Sequence, residues 1–146
     1  MAADFSGSKT VTFSTPLPRA LDTQIHVRLT TRDKSLMLFV TTAGTSEGDR
    51  LVAMGSFVYA VPNHRQRFQP SEPLCTNIYV DEKSLEFAVR LAQLIVKRTQ
   101  LPVYVSSSLS LDRMGLGGTV EEILEAFQAV TKPLLPLLPR PSQVSV

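Results

Sequence analysis

The sequence predicts an α+β domain: a mostly antiparallel β-sheet of about six strands with two α-helices packed on one face. Segments with strand-like alternation fill the first half of the chain, and two helical patterns follow, separated by one further strand. The predicted order is therefore β-β-β-β-β-α-β-α. Strands that precede the helices in this way are typical of an α+β fold rather than of a parallel α/β fold.

Period-two alternation of apolar and polar side chains predicts the strands. In residues 23–31, Ile25, Val27 and Leu29 alternate with polar neighbours, as in a strand with one buried face. The turn at 31–34 connects this segment to the next one as a hairpin. In chain order, the predicted strands cover residues 10–14, 23–31, 35–42, 51–61, 74–80 and 101–109.

Residues 81–99 have the spacing of an amphipathic helix. Asp81 is the expected N-cap, and Pro102 prevents the helix from continuing. The apolar residues recur at helical intervals, so that they form one stripe consisting of Leu85, Ala88, Leu91, Ala92 and Ile95.

A second helix is predicted to begin after Thr119, which forms a capping-box pattern with Glu122. Pro133 is expected to end it, and the proline-rich segment that follows is expected to be extended or polyproline-like. The predicted apolar face of this helix consists of Val120, Ile123, Leu124, Phe127 and Val130.

The chain of 146 residues fits one domain. Residues 1–9 are expected to be a flexible N-terminus, and residues 10–132 to form a single α+β domain. Residues 62–73, which contain three prolines, are expected to be a mobile loop. Residues 133–146 form a proline-rich C-terminal tail, whose PxxP spacing could also bind an aromatic groove.

Two predicted strands are apolar on both faces. In residues 35–42 Met37 and Phe39 lie opposite the other apolar residues, and in residues 51–61 Phe57 and Tyr59 do so. Strands of this kind need a cover on both faces. Two helices can cover one face, so either the sheet folds over on itself as a sandwich, or the second face contacts another protein.

Composition excludes several classes of partner. The net charge of +2, from 15 basic and 13 acidic residues, is too even to indicate binding to nucleic acid or to an anionic membrane. The single cysteine suits a reducing compartment, and neither a signal peptide nor a transmembrane run is predicted. We therefore expect no membrane association and a cytoplasmic location, and a nuclear location stays open.

The glycine-rich turn before the second helix could suggest a phosphate site. It contains Gly115, Gly117 and Gly118 but no P-loop lysine. Glu121 and Glu122 occupy the first helical turn, where they complement the helix dipole and would repel an anion. The turn is therefore interpreted as a loop that enters a self-capped helix.

Catalytic and metal-binding patterns are also lacking in the sequence. The serines do not form a GxSxG motif, and the two histidines lie on a strand face (His26) and in the predicted mobile loop (His64). Neither histidine is near Cys75, which is interpreted as a small buried apolar residue. We predict no catalytic, cofactor-binding or metal-binding residue. A hydrolase would require a serine within hydrogen-bond distance of either histidine, in a pocket.

Arginine next to an aromatic residue, in HRQRF at 64–68, keeps one alternative open. Arg65 and Arg67 beside a stacking ring could bind single-stranded nucleic acid. A solvated loop or a contact with an acidic protein surface is the other interpretation. Since apolar strand surface is in excess and no catalytic pattern is present, a binding or assembly protein is favoured over an enzyme. The alternative is a small nucleic-acid-binding or other protein-interaction module.

Three segments together resemble the proteasome assembly chaperone 4 family in a fungal-type form. They are IHVRLTTRDKSLMLFVTTAG, LVAMGSFVYAVPN and AVRLAQLIVKRTQLPVYVSSSL. The resemblance covers about residues 24–109 and depends on the ordered set, which includes AMGS before a strand and a helix that ends in Lys-Arg-Thr. The 62–73 loop and the proline-rich C-terminus depart from the family pattern.

The resemblance implies a non-catalytic chaperone without a cofactor. Such proteins form a heterodimer with the related proteasome assembly chaperone 3. The heterodimer helps to order alpha subunits of the 20S proteasome, especially alpha type 5, into the alpha ring. It implies that Met37, Phe39, Phe57 and Tyr59 contact the companion. It also implies that Arg65 and Arg67 at the rim contact an alpha subunit more weakly.

Overall fold

The computed structural model describes residues 7–20, 22–44, 54–64, 72–110 and 119–140. The strands are β1 (Lys9–Pro16), β2 (Thr23–Thr31), β3 (Leu36–Gly44), β4 (Ser56–Val61), β5 (Leu74–Tyr79) and β6 (Val103–Ser108). The helices are α1 (Leu85–Thr99) and α2 (Val120–Leu134), and a short 3-10 helix, Leu135–Leu137, follows α2. Within the described residues, the elements occur in the predicted order.

These strands form one sheet in the order β1-β2-β3-β6-β4-β5. All neighbouring strands are antiparallel except β3 and β6. Since β5 and β6 are both antiparallel to β4, they are parallel to each other, and α1 makes the crossover that such a pair requires. The helices contact the same face, where Phe87 of α1 meets Phe127 of α2 edge to face at 5.7 Å. The predicted α+β class is confirmed.

The core lies between the sheet and the helices. Alternate strand residues are buried there against the α1 stripe, and full burial of each large apolar side chain contributes about 1.5–3 kcal/mol. The buried strand residues include Ile25, Val27, Leu29, Leu36, Leu38, Val40, Val58, Ala60, Val103 and Val105, and the α1 residues include Ala88, Leu91, Ala92 and Ile95. Neither α1 nor α2 combines the length and apolar character needed to cross a membrane.

The start of α1 differs from the prediction, because Asp81 does not cap it. The helix begins at Leu85, and its N-cap is Ser84. The Asp81 carboxylate instead accepts a hydrogen bond from the Lys83 amide at 3.2 Å, and the Asp81 carbonyl accepts from the amides of Ser84 and Leu85. These bonds close a separate turn, so that residues 81–84 precede the helix rather than form its first turn.

A cluster of hydrogen bonds around buried Ser56 joins β4 to this turn. The Ser56 hydroxyl donates to the Asp81 carbonyl (2.8 Å) and accepts from the Asp81 amide (2.9 Å). The Ser84 hydroxyl donates to the Ser56 hydroxyl (3.0 Å) and accepts from the Ser56 amide (3.2 Å). The cluster therefore positions the N-terminus of α1 relative to the sheet.

We expect Ser56→Ala to destabilise the fold by about 2 kcal/mol, because it removes the three hydrogen bonds of the buried Ser56 hydroxyl, including the one that it accepts from the Asp81 amide. For a domain of this size, that corresponds to a melting temperature lowered by about 4–8 °C, measurable by thermal denaturation. Ser14→Ala removes an exposed hydroxyl and serves as the matched control, with an expected change within about 0.5 kcal/mol. Equal melting temperatures for the two variants would contradict a structural role of the cluster.

The strand predicted for residues 51–61 begins only at Ser56 within the described residues. Gly55 has φ +70°, in the left-handed region. A Cβ at this position would lie 2.2 Å from the Ser107 carbonyl oxygen and 2.6 Å from the Ser108 Cα. Glycine is therefore required where the chain enters β4 against β6, and Met54 and Gly55 do not extend the strand.

The capping box of α2 is confirmed, but its predicted apolar face is wrong in part. Thr119 and Glu122 exchange the expected hydrogen bonds, and the Glu122 side chain is fully buried. The buried face consists of Glu122, Ala126, Val130, Thr131 and Leu134. Val120 (75% exposed) and Leu124 (49%) face solvent instead. Ala126 is small, so that α2 can pack closely on the core along its buried face. The apolar pattern of the sequence did not predict this face.

Pro133 does not end α2, which continues to Leu134 and then into the 3-10 helix. The prediction of an extended segment from residue 133 is therefore wrong for Leu135–Leu137. Proline removes one intrahelical donor, yet the Leu135 amide still donates to the Thr131 carbonyl. Burial of Leu134 and Leu138 in the core offsets the lost hydrogen bond.

Candidate protein-interaction surface

The sheet face opposite the helices is here called the open face. The described strands form a single sheet, so the sheet does not fold over on itself as a sandwich. Both described helices lie on the other face. Of the two alternatives left by the sequence, the described residues therefore favour a face that is available to another protein.

The open face carries an aromatic patch on β3, β6, β4 and the edge strand β5, defined as Met37, Phe39, Phe57, Tyr59, Tyr79 and Tyr104. The register places Met37 beside Tyr104 and Phe57 beside Tyr79. Tyr104 stacks on Tyr59, with ring centroids 4.5 Å apart, and on Phe57, at 5.9 Å. Side chains held against each other in this way lose little further conformational freedom when they bind.

Phe39 lies beside this stack, in β3. Its side chain is 37% exposed, whereas its neighbours Met37, Phe57, Tyr59 and Tyr104 are half-buried. Between Phe39 and Phe57 the register places Ser106, which is only 3% exposed. Its hydroxyl donates to the Met54 carbonyl at 2.8 Å, so its polar group is already satisfied. The floor of the patch therefore presents no unsatisfied hydroxyl to a binding partner.

The outer half of the open face, on β1 and β2, is polar. Arg28 is exposed there, and the hydroxyls of Thr10 and Thr30 are 3.2 Å apart across the two strands. The open face is thus divided into an apolar half on β3, β6, β4 and β5 and a polar half on β1 and β2. The polar residues flank the apolar surface on one side, as rim residues do in binding surfaces.

The polar half also brings a serine to His26, as a hydrolase would require. The Ser14 hydroxyl and His26 Nδ1 are 2.7 Å apart. The pair lies on the sheet surface, and the cross-strand neighbours of His26 are Ser14 and Thr41, neither of which carries a carboxylate to orient the ring. The contact is therefore typical of a cross-strand pair on a sheet surface.

The structure brings together the four residues predicted from the sequence to contact a companion, Met37, Phe39, Phe57 and Tyr59. Tyr104 and Tyr79 were not among the residues predicted from the sequence. Alternation nevertheless places Tyr104 on the other face of β6 from the buried Val103 and Val105. The edge strand β5 and the residue after it add exposed apolar side chains, Leu74, Ile78, Tyr79 and Val80. Recognition of these residues required knowing that β5 is an edge strand.

The remaining predictions from the sequence concern the two loop arginines, the glycine-rich turn and possible metal ligands. Arg65 and Arg67, and the glycine-rich turn, lie outside the described residues. Glu122 accepts hydrogen bonds from Thr119 at the N-terminus of α2, so its carboxylate occupies the position where a phosphate would bind. In the described part of the chain, His, Cys, Asp and Glu side chains do not gather in groups of three that could hold a metal ion.

Cys75 is partly buried against the core rather than fully buried. Burial raises the pKa of its thiol above the ordinary value, and the nearby Glu72 carboxylate raises it further. The thiol therefore stays protonated at neutral pH. Because the folded protein holds this proton more tightly than the unfolded chain, the contribution of Cys75 to stability is lost as the pH rises through the folded-state pKa.

This chain matches a family model and a solved structure. A family model described as proteasome assembly chaperone 4 matches residues 24–109, from β2 through β6. A chain from the crystal structure of a novel chaperone complex for yeast 20S proteasome assembly aligns with a TM-score of 0.58 and 17% identity. The alignment covers 90% of this chain and 94% of that chain. A search of curated proteins finds no match.

At this identity the solved structure shows the likeness of fold alone. The family model, however, matches more than half of the chain, and it spans the strands that form the aromatic patch. The resemblance found in the sequence is thereby confirmed, and the chain belongs to the proteasome assembly chaperone 4 family.

Proposed function

We propose that this protein is a non-catalytic assembly chaperone of the 20S proteasome, and that it binds a companion chaperone through its open face. The aromatic patch is the observation that carries the proposal, because it is a pre-stacked apolar surface on the side of the sheet without helices. Membership of the family supports the chaperone role. The companion is a protein related to proteasome assembly chaperone 3.

The open face is large enough for a stable complex. Six strands at a spacing of about 4.8 Å, with six to nine residues each at about 3.3 Å, give a face of roughly 29 by 24 Å. This projected area of roughly 700 Å² approaches the 800 Å² or so that each partner buries in a standard interface. Two sheets stack at a separation of about 10 Å, so a companion with a similar sheet could cover the patch.

The chemistry of the patch favours a long-lived contact with the companion. Apolar and aromatic side chains form its centre, and the tyrosines carry a hydroxyl that can reach a polar partner at the edge. The heterodimer then holds alpha subunits, with alpha type 5 as the first expected client, while the alpha ring forms. Contacts of the client are expected to be weaker, since a chaperone must leave the finished particle.

The proposal is tested by purifying the tagged chain from its own cells at moderate salt and identifying the bound proteins by mass spectrometry. We expect a companion of similar size and proteasome alpha subunits, with little mature core particle. Recovery of nucleic acid without either class of protein would overturn the proposal and favour the nucleic-acid-binding module.

The same purification tests the predicted rim. Arg65→Glu combined with Arg67→Glu should leave the companion bound and reduce the recovery of alpha subunits, because exposed rim charges contribute mainly to weak and salt-sensitive contacts. Loss of the companion from this variant would show that the two arginines belong to the heterodimer interface and that their assignment to the rim is wrong.

A further inference from the structure

A groove on the helix side of the molecule is formed where the C-terminal ends of α1 and α2 meet. It encloses about 850 Å³. Its apolar surface comes from the segment that follows Pro133, which the sequence analysis expected to be extended. The residues that line it are Lys97, Arg98, Lys132, Leu135, Pro136, Leu138, Pro139 and Arg140.

Among the described residues, the side chains that line this groove carry four positive charges and no negative one. Lys97 and Arg98 come from the last turn of α1, Lys132 from the last turn of α2, and Arg140 from beyond the 3-10 helix. Helix dipoles favour cations in the last turns, but they do not explain Arg140, which lies past the end of α2. The four charges therefore converge on a groove that has its own apolar floor.

The ion pair between Lys97 and Glu72 leaves the groove available. Glu72 approaches Lys97 at 4.0 Å, and both side chains are more than half exposed. An exposed ion pair of this length contributes little, about 0–1 kcal/mol, so another carboxylate can replace it. The ion pair also shows that Lys97 can reach a carboxylate from outside its own helix.

We propose that this groove binds an acidic segment of a partner protein, in which carboxylates flank a leucine-like side chain. Carboxylates match the lysine and arginine donors. An apolar side chain matches the floor of Leu135, Leu138 and the two prolines. The charge of the groove is thus complementary to an acidic peptide, and its floor distinguishes such a peptide from a simple anion.

The groove fits an acidic peptide better than phosphate or nucleic acid. Lysine and arginine bind phosphate as well as carboxylate, but phosphate sites often add backbone N–H groups at a helix N-terminus. This groove lies at helix C-termini and contains two prolines without an N–H. The lining residues include no aromatic ring on which a base could stack. A peptide carboxylate is therefore the better match.

The groove and the open face lie on opposite sides of the sheet. A companion that covers the aromatic patch leaves the helix layer accessible, so both surfaces could be occupied at once. The inference goes beyond the proposed function and does not depend on it, since peptide binding by the groove and heterodimer formation are measured separately.

The test is fluorescence anisotropy of the full chain with a short labelled peptide in which glutamates flank leucines. We expect saturable binding that weakens when salt is raised from about 50 to about 300 mM, because exposed charges are screened. A matched peptide with glutamine in place of glutamate should bind at least about tenfold more weakly, since it lacks charge-assisted hydrogen bonds.

Variants locate the site. Lys132→Glu with Arg140→Glu should weaken binding about tenfold or more, while the melting temperature is kept, because both side chains are exposed. Lys83→Glu with Arg90→Glu makes the same change of net charge nearer the other end of α1 and should change the affinity by no more than about twofold. Equal loss in both double variants would overturn the proposal.

Two other probes decide between ligand classes. Inorganic phosphate and a single-stranded RNA oligonucleotide should each fail to displace the acidic peptide at equal charge concentration. Displacement by phosphate would mean that the groove is a simple anion site, and displacement by RNA would mean that it binds nucleic acid. Either result would overturn the assignment to an acidic protein segment.

Discussion

Phe39→Asp is expected to abolish binding of the companion, with a loss of affinity of about a thousandfold or more. The new carboxylate would be desolvated against the apolar surface of the companion, at a cost of about 4 kcal/mol or more. In the isolated chain the cost is expected to be about 1 kcal/mol, because Phe39 is already 37% exposed and the carboxylate stays in water. Arg28, its cross-strand neighbour, would also face the new charge.

Co-purification of the companion and thermal denaturation of the isolated chain check this prediction together. Leu124→Asp is the matched control, since it adds the same charge to an exposed apolar residue on the helix side. It should leave the heterodimer intact. Equal loss of stability and of binding in Phe39→Asp would instead mean that Phe39 belongs to the core of its own domain.

Gly55→Ala is expected to destabilise the domain by about 3 kcal/mol or more. The left-handed backbone costs a residue with a side chain about 1–2 kcal/mol, and the new Cβ would meet backbone atoms of Ser107 and Ser108 that cannot move without breaking the β4–β6 pairing. The change should lower the melting temperature by about 6–12 °C, as measured by thermal denaturation.

Gly7→Ala provides the control for Gly55→Ala. Gly7 also has a positive φ, of 113°, but its Cβ would meet only the side chain of Asp33, which can rotate away. Gly7 precedes β1, where strain can be relieved by fraying at a cost of about 1 kcal/mol or less. A Gly55→Ala variant as stable as the Gly7→Ala variant would contradict the close approach of β4 to β6.

The expected effect of Gly55→Ala would also explain why the AMGS segment, residues 53–56, has glycine followed by serine. In this segment Gly55 permits the close approach to β6, and Ser56 then joins β4 to the turn before α1. Met54 supplies the carbonyl that accepts from the Ser106 hydroxyl under the patch. Three consecutive residues of one segment thus support the core, the start of α1 and the candidate surface.

Strand alternation and the stripe of α1 could be predicted because they depend on residues two to four positions apart. Ile25, Val27 and Leu29 alternate with polar side chains whether or not their neighbours are known, and Leu91 with Ile95 marks one side of α1. The two-sided apolar pattern around Phe39 and Phe57 likewise indicated surplus apolar surface. Family membership followed from the same ordered segments.

Local patterns failed where a distant contact decided the outcome. Val120 and Leu124 match an apolar stripe, but α2 buries Glu122 and Ala126 instead, because its packing on the core sets its rotation. Proline normally ends a helix, but α2 continues past Pro133 because burial of Leu134 outweighs the lost hydrogen bond. In both cases the deciding energy comes from residues that are remote in the sequence.

The sequence alone determined which residues are apolar, how they alternate, and hence that this chain forms a sheet with surplus apolar surface. The tertiary structure decided that β6 inserts between β3 and β4, which places Tyr104 between Phe57 and Tyr59 and brings Phe39 beside them. It also decided that two helix ends meet to form a basic groove. Alternation is a property of neighbouring residues, whereas strand order and helix docking depend on long-range packing, which no short segment encodes by itself.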